Sequence, residues 1–115
     1  MSPNDLRRAA AGILREWWLP QLGDHTRLRS SEYRVYAVLT MCRSLYTMWH
    51  GEVASKPVAA RWAQTAFGGQ WAALIEAALA WRHDMPFAYL DETLGLIRFT
   101  LEHAKQVEQP AKEEG

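Results

Sequence analysis

Apolar positions along this chain recur at three- and four-residue steps in five stretches, and nowhere do they alternate long enough to build a strand. The first stretch opens at Ser2-Pro3 with Asp5 close behind. Its stripe of Leu6, Ala9, Ala10, Ile13, Leu14 and Trp17 predicts a helix running to Pro20. The segment "QLGDHTRLRS" has no period and reads as a connection, after which Ser30 or Ser31 caps a second, longer helix. Tyr33, Tyr36, Ala37, Thr40, Met41, Ser44, Leu45 and Met48 form its main stripe, Val35, Val38, Leu39, Cys42 and Tyr46 widen it, and Gly51 ends it. A helix apolar over so much of its girth belongs at the centre of a bundle. A third helix carries Val58, Ala59, Trp62 and Ala63 and ends at Gly68-Gly69. A fourth, "QWAALIEAALAWRHD", places Trp71, Leu74, Ile75, Ala78, Leu79 and Arg82 on a face. Pro86 then opens a fifth, with Phe87, Leu90, Leu94, Ile97, Leu101 and Ala104 as its buried stripe. The expected architecture is all-α: a compact bundle of about five helices over residues 1–109, with 110–115 a flexible polar tail.

The start of the third helix poses a problem of charge. Ser55 is a good N-cap and Pro57 suits the first turn, yet between them stands Lys56. A cation there meets the positive end of the helix dipole at a cost of roughly 0.3–1 kcal/mol. Something must offset that cost, and an anionic ligand arriving at the helix start is one candidate.

Composition narrows the possible partners. Thirteen Lys and Arg balance thirteen Asp and Glu, so neither nucleic acid nor an anionic membrane surface is an expected partner. With 49% hydrophobic residues the 115-residue chain has ample material for one core. The lone Cys42 excludes an internal disulfide and a cysteine-based zinc set, and there is no signal peptide or spanning apolar run. A cytoplasmic, reducing location is expected.

No catalytic constellation stands out. The chain has no phosphate-binding glycine loop, no HExxH and no serine elbow, and its histidines at 25, 50, 83 and 103 are too scattered to read as metal ligands. Cys42, on a central helix with no neighbouring base, reads as a buried structural thiol. Six tryptophans are more informative. Trp62 and Trp71 read as packing, and Trp49 and Trp81 lie at element ends. Trp17 and Trp18 point about 100° apart on a helix, so one of the two is left at a surface or groove edge.

The run "YAVLTMCRSLYTMWHGEVASKPVAARWA", Tyr36 to Ala63, followed by "WAALIEAALAWR", resembles the C-terminal helical domain of the aminoglycoside adenylyltransferases that modify streptomycin and spectinomycin. The "LTxCRxLYT" helix, the "G(E/K)xxxK" turn and the "AAxWA" helix occur in order and at the right spacing, and the resemblance covers most of residues 3 to 105. In that family an N-terminal nucleotidyltransferase domain holds ATP and Mg2+ on a Gly-Ser turn and paired aspartates. These residues contain no such turn. The resemblance therefore implies half of an active site, whose ATP and Mg2+ are held mainly by a domain absent here.

By that resemblance Lys56 matches a lysine sent to the nucleotide phosphates, and Trp81 stands where the family has a nucleotide-contacting tyrosine. The family's drug contacts, an acidic residue and a histidine three apart, align with Tyr33 and Tyr36. Glu32, one residue earlier, supplies a carboxylate for a cationic aminoglycoside or aminocyclitol. Arg43 is a motif residue too, expected to pair with a buried carboxylate such as Glu76. Two readings of function follow. The chain is the helical half of a drug-modifying nucleotidyltransferase, or it is a stand-alone, non-catalytic binding module that acts with a separate nucleotidyltransferase partner.

Overall fold

Side chains at three of the helix starts fold back onto their own backbone, and these caps set the frame. In the computed structural model, which describes residues 1–109, Ser2 Oγ accepts from the Asp5 N–H at 3.1 Å. The Asp5 carboxylate in turn accepts from the Ser2 N–H at 3.3 Å. This capping box starts α1 (Pro3–Ile13). Ser30 Oγ accepts from the Tyr33 N–H (3.1 Å) at the start of α2 (Ser31–His50), and Ser55 Oγ from the Val58 N–H (3.3 Å) at α3 (Lys56–Phe67). α4 (Gly69–Ala80) and α5 (Leu90–Glu108) complete an all-α bundle of five helices, with no strand among the described residues. The expected tail, 110–115, lies outside them.

α2 is central, as its wide apolar girth requires, and packs against each of the other four helices. Its fully buried residues include Ala37, Val38, Met41, Cys42 and Leu45. Burial pushes the Cys42 thiol up to about 12, which agrees with a structural role. Gly51 closes α2 with φ 69°, its N–H donating to the Thr47 carbonyl at 2.8 Å. A Cβ at Gly51 would lie 2.6 Å from Pro3 Cβ, so the end of α2 and the start of α1 meet too closely for any side chain. No helix among the described residues is long and apolar enough to cross a membrane.

Several expectations about individual helices are corrected. The first helix does not run to Pro20: α1 stops at Ile13 and is followed by a π-helical turn, Leu14–Trp18, and a 3₁₀ turn, Leu19–Leu22. Its buried positions are Ala11, Leu14 and Trp18, while Ile13 and Trp17 are 59% and 44% exposed. Two adjacent apolar stripes were available, and the one ending in Trp18 packs inward. On α2, Tyr36 is exposed and Thr40 and Ser44 are half-buried. On α3, Val58 is exposed and Ala59, Ala60 and Ala63 are buried, three small side chains that let α3 approach α2 closely.

α4 ends at Ala80, well short of Asp84, because Trp81 turns to extended backbone. Pro86 does not open the last helix. The chain from Pro86 to Tyr89 is irregular, held by the Phe87 N–H donating to Ser31 Oγ at 2.9 Å and by the Arg34 guanidinium donating to the Phe87 carbonyl. The expected Arg43–Glu76 pair is also absent. Glu76 is exposed and takes Arg61 at 2.6 Å, whereas Arg43 Nε donates to the Ala54 carbonyl at 3.1 Å and fastens the turn before α3.

At the far end of the bundle the imidazole of His103 sits among aromatic rings, with centroids 4.9 Å from Phe99, 5.0 Å from Trp49 and 6.0 Å from Phe67. Partial burial holds its pKa below the usual histidine value, with Glu102 opposing the shift. The unfolded chain therefore takes up this proton at a higher pH than the folded one. The contribution of His103 to stability is present above the ordinary histidine pKa and is lost as pH falls through it toward the lower folded value. Melting curves recorded from pH 7.5 to 5 are expected to show a steeper loss for the native chain than for His103→Gln. Parallel losses would remove His103 from the acid response.

Candidate functional site

The π-helical turn after α1 puts adjacent tryptophans to different uses. Trp18 is 1% exposed and stacks on Tyr33 at 5.8 Å between centroids, with Tyr36 6.0 Å away and the two tyrosines 5.4 Å apart. Trp17 faces outward. Its indole N–H donates to the Tyr33 hydroxyl at 3.2 Å, and Gln21 Nε2 donates to the same oxygen at 3.1 Å. The Tyr33 hydroxyl thus accepts twice, and its own proton remains to be given.

Two adjoining concavities meet along Trp17 and Tyr36. The first, about 620 Å³, is lined by Trp17, Arg27, Ser30, Glu32, Tyr33 and Tyr36. The second, about 420 Å³, has as its floor one face of α2, in which Tyr36, Thr40, Arg43, Ser44 and Thr47 follow at helical spacing. Ile13, Trp17 and Trp18 wall it on one side, Val53 and Lys56 on the other. Each volume is in the range of small-molecule sites. The half-polar stripe of α2 that sequence periodicity assigns to the core is thus a groove floor.

Lys56 reaches into this second concavity, with Nζ 5.3 Å from the centroid of the Tyr36 ring. A cation over a ring face contributes roughly 0.5–1 kcal/mol where solvent has access, enough to offset the dipole cost of a first-turn lysine. The unfavourable charge is therefore balanced inside the fold by Tyr36. Few backbone donors are free at this helix start: Pro57 has no N–H and the Val58 N–H is taken by Ser55, which leaves the N–H of Lys56 itself.

Of the residues singled out from sequence, Glu32, Tyr33 and Tyr36 line one concavity, and Tyr36 and Lys56 line the next. Trp81 is not among the lining residues. The α3–α4 hairpin pairs Arg61 with Glu76 and Gln64 with the Ala72 carbonyl, so its antiparallel register carries the end of α4 level with the start of α3. Trp81 there donates its indole N–H to the Met85 carbonyl at 2.8 Å and packs edge-on to His83.

Sequence reasoning missed two residues of the groove. Arg43 joins Lys56 as a second cation, and no carboxylate lines that concavity. Its spacing of seven from Tyr36 was the available signal. Arg27 lays its guanidinium over Trp17, 4.6 Å from the ring centroid. The groove therefore has a cationic end suited to an anion and an end where Glu32 and Arg27 mix the charge. Among the described residues no group of three or more His, Cys, Asp or Glu side chains is placed to hold a metal ion.

No curated protein and no solved structure matches the chain. One protein family does, over residues 8–106, a span that takes in the aromatic wall, all of α2 and the Lys56 turn. By that match the chain belongs to the family of the aminoglycoside adenylyltransferase C-terminal domain.

Proposed function

We propose that this domain is the substrate- and nucleotide-facing half of an aminoglycoside nucleotidyltransferase. The drug rests against Glu32, Tyr33 and Tyr36, and the nucleotide phosphates meet Lys56. The observation that supports this most is the continuity of the groove. Tyr36 lines both concavities and carries Lys56 over its ring, so a ligand on the tyrosines lies beside the cation that would hold a phosphate. ATP, when bound, supplies the nucleotidyl group. The residues present fit its phosphate chain, with Lys56 and Arg43 as charge-assisted donors, whereas they offer no carboxylate set for Mg2+. The metal and the transfer step are assigned to a nucleotidyltransferase domain outside these residues. Trp81, near the Lys56 end of the α3–α4 hairpin, offers a ring edge to the nucleotide only if that domain closes over it.

The drug side is tested with streptomycin. Glu32 is exposed, so its attraction for a drug cation is that of a surface ion pair, about 0.4–1 kcal/mol. Glu32→Gln is expected to weaken streptomycin binding about two- to fivefold at low salt, and Glu92→Gln, on the first turn of α5, to leave it unchanged. Calorimetry giving equal affinities for the two variants would remove Glu32 from the site.

A further inference from the structure

Arg34 lines neither concavity of the groove, yet all three nitrogens of its guanidinium are engaged at the start of α2. Nε donates to the Leu28 carbonyl at 2.8 Å, one terminal nitrogen to the Arg29 carbonyl at 2.9 Å, and the other to the Phe87 carbonyl. Ser31, three residues earlier and so on the same face of α2, accepts from the Phe87 N–H. The points it grips are themselves anchored, since the side chains of Leu28 and Phe87 are buried.

Two features set this apart from an ordinary tie between segments. Arg34 is half-buried and pairs with no carboxylate among the described residues, so its charge is met by carbonyl dipoles alone. Withdrawing a cation from water without a counter-ion is costly, and what the guanidinium offers in return is a rigid fork that holds several acceptors at once. The second feature is the segment it grips. The 3₁₀ turn Arg27–Arg29 is weakly held by its own backbone, because the Arg29 N–H meets the Thr26 carbonyl and the Ser30 N–H the Arg27 carbonyl only at 3.4 Å. That turn carries Arg27 and leads into Ser30, Glu32 and Tyr33, which line the first concavity.

We propose that Arg34 is the positioning residue of the first concavity. By fixing the Leu28, Arg29 and Phe87 carbonyls together it sets the 3₁₀ turn against the start of α2, and with it the places of Arg27, Glu32 and Tyr33, while touching no ligand itself. The irregular Pro86–Tyr89 segment thereby becomes part of the site's support. A lysine keeps the charge but has no planar fork to span three backbone points. The inference rests on the proposed function only for what the concavity holds.

The experiment compares Arg34→Lys with Leu101→Val, a buried change in the later half of α5. Each is expected to lower the melting temperature by several degrees, and both are studied well below their melting points. The Trp17 indole N–H and the Gln21 side-chain amide both donate to the Tyr33 hydroxyl, so their resonances in the 15N-labelled chain report where that tyrosine sits. They are expected to move in Arg34→Lys and to stay in place in Leu101→Val. Streptomycin affinity, read by calorimetry, is expected to fall about three- to tenfold in Arg34→Lys and to be unchanged in Leu101→Val.

Unmoved resonances in Arg34→Lys would overturn the proposal whatever the chain binds. Equal shifts in the two variants would also overturn it, by reducing Arg34 to a contributor to stability. So would native streptomycin affinity in Arg34→Lys, which would show that charge alone, or nothing at all, is needed at this position. If the native chain binds no streptomycin, the proposed function fails while the resonances still judge Arg34, so the two failures are told apart.

Discussion

Replacing Trp18 with alanine is expected to destabilise the fold by about 3–5 kcal/mol, the range for emptying a buried aromatic site. Trp18 is almost fully buried and is the ring on which Tyr33 and Tyr36 lean, so its loss opens a cavity directly beneath the candidate site. For a chain of this size each kcal/mol moves the melting temperature by several degrees, and a fall of more than about 10 °C follows. Trp17→Ala is the informative contrast. That side chain is 44% exposed and gives up a stacked arginine and one hydrogen bond to Tyr33, a loss of about 1 kcal/mol. Melting curves for the two variants read the register of the π-helical turn directly. Should Trp17→Ala prove the more damaging, the outer and inner tryptophans have been exchanged, and the groove wall described above is wrong.

Lys56→Ala is expected to weaken ATP binding about ten- to a hundredfold once a nucleotidyltransferase domain of the family is present, as follows from losing a charge-assisted contact of about 1.5–3 kcal/mol. The effect shrinks at high salt. Stability is expected to change little, because two small terms oppose each other. The variant loses the cation over the Tyr36 ring, roughly 0.5–1 kcal/mol, and is relieved of a positive charge at the helix start, roughly 0.3–1 kcal/mol. Arg98→Ala, which removes an exposed charge from α5, should alter neither property. Paired measurements of melting and ATP titration decide the matter. A drop of several degrees with unchanged ATP affinity would make Lys56 a structural residue whose partner is Tyr36 alone.

What could be read along the chain was what is local. A cap is a hydrogen bond across three residues, so Ser2 with Asp5, Ser30 and Ser55 announce their helices without reference to the rest of the molecule. Gly51 and Gly68 stop α2 and α3 for an equally local reason, a positive φ that suits glycine. The girth of apolar residues on α2 foretold its central place, and the spacing of "LTxCRxLYT" and the Lys56 turn foretold the family.

Tertiary contacts decided what periodicity leaves degenerate. Two stripes about 100° apart on one helix can both be apolar, and only the neighbouring helices choose between Trp17 and Trp18, or between Val58 and Ala59. Pro86 is as suitable for a helix start as Pro57. It stays outside the helix because the Phe87 backbone is claimed by Ser31 and Arg34, more than fifty residues earlier. The same holds for the site. The sequence by itself determined that a lysine stands at the positive end of α3. That its charge is met by the ring of Tyr36, twenty residues away, and that Arg43 joins it over a groove floor, was decided by α2 and α3 packing side by side, since such contacts exist only where two helices meet.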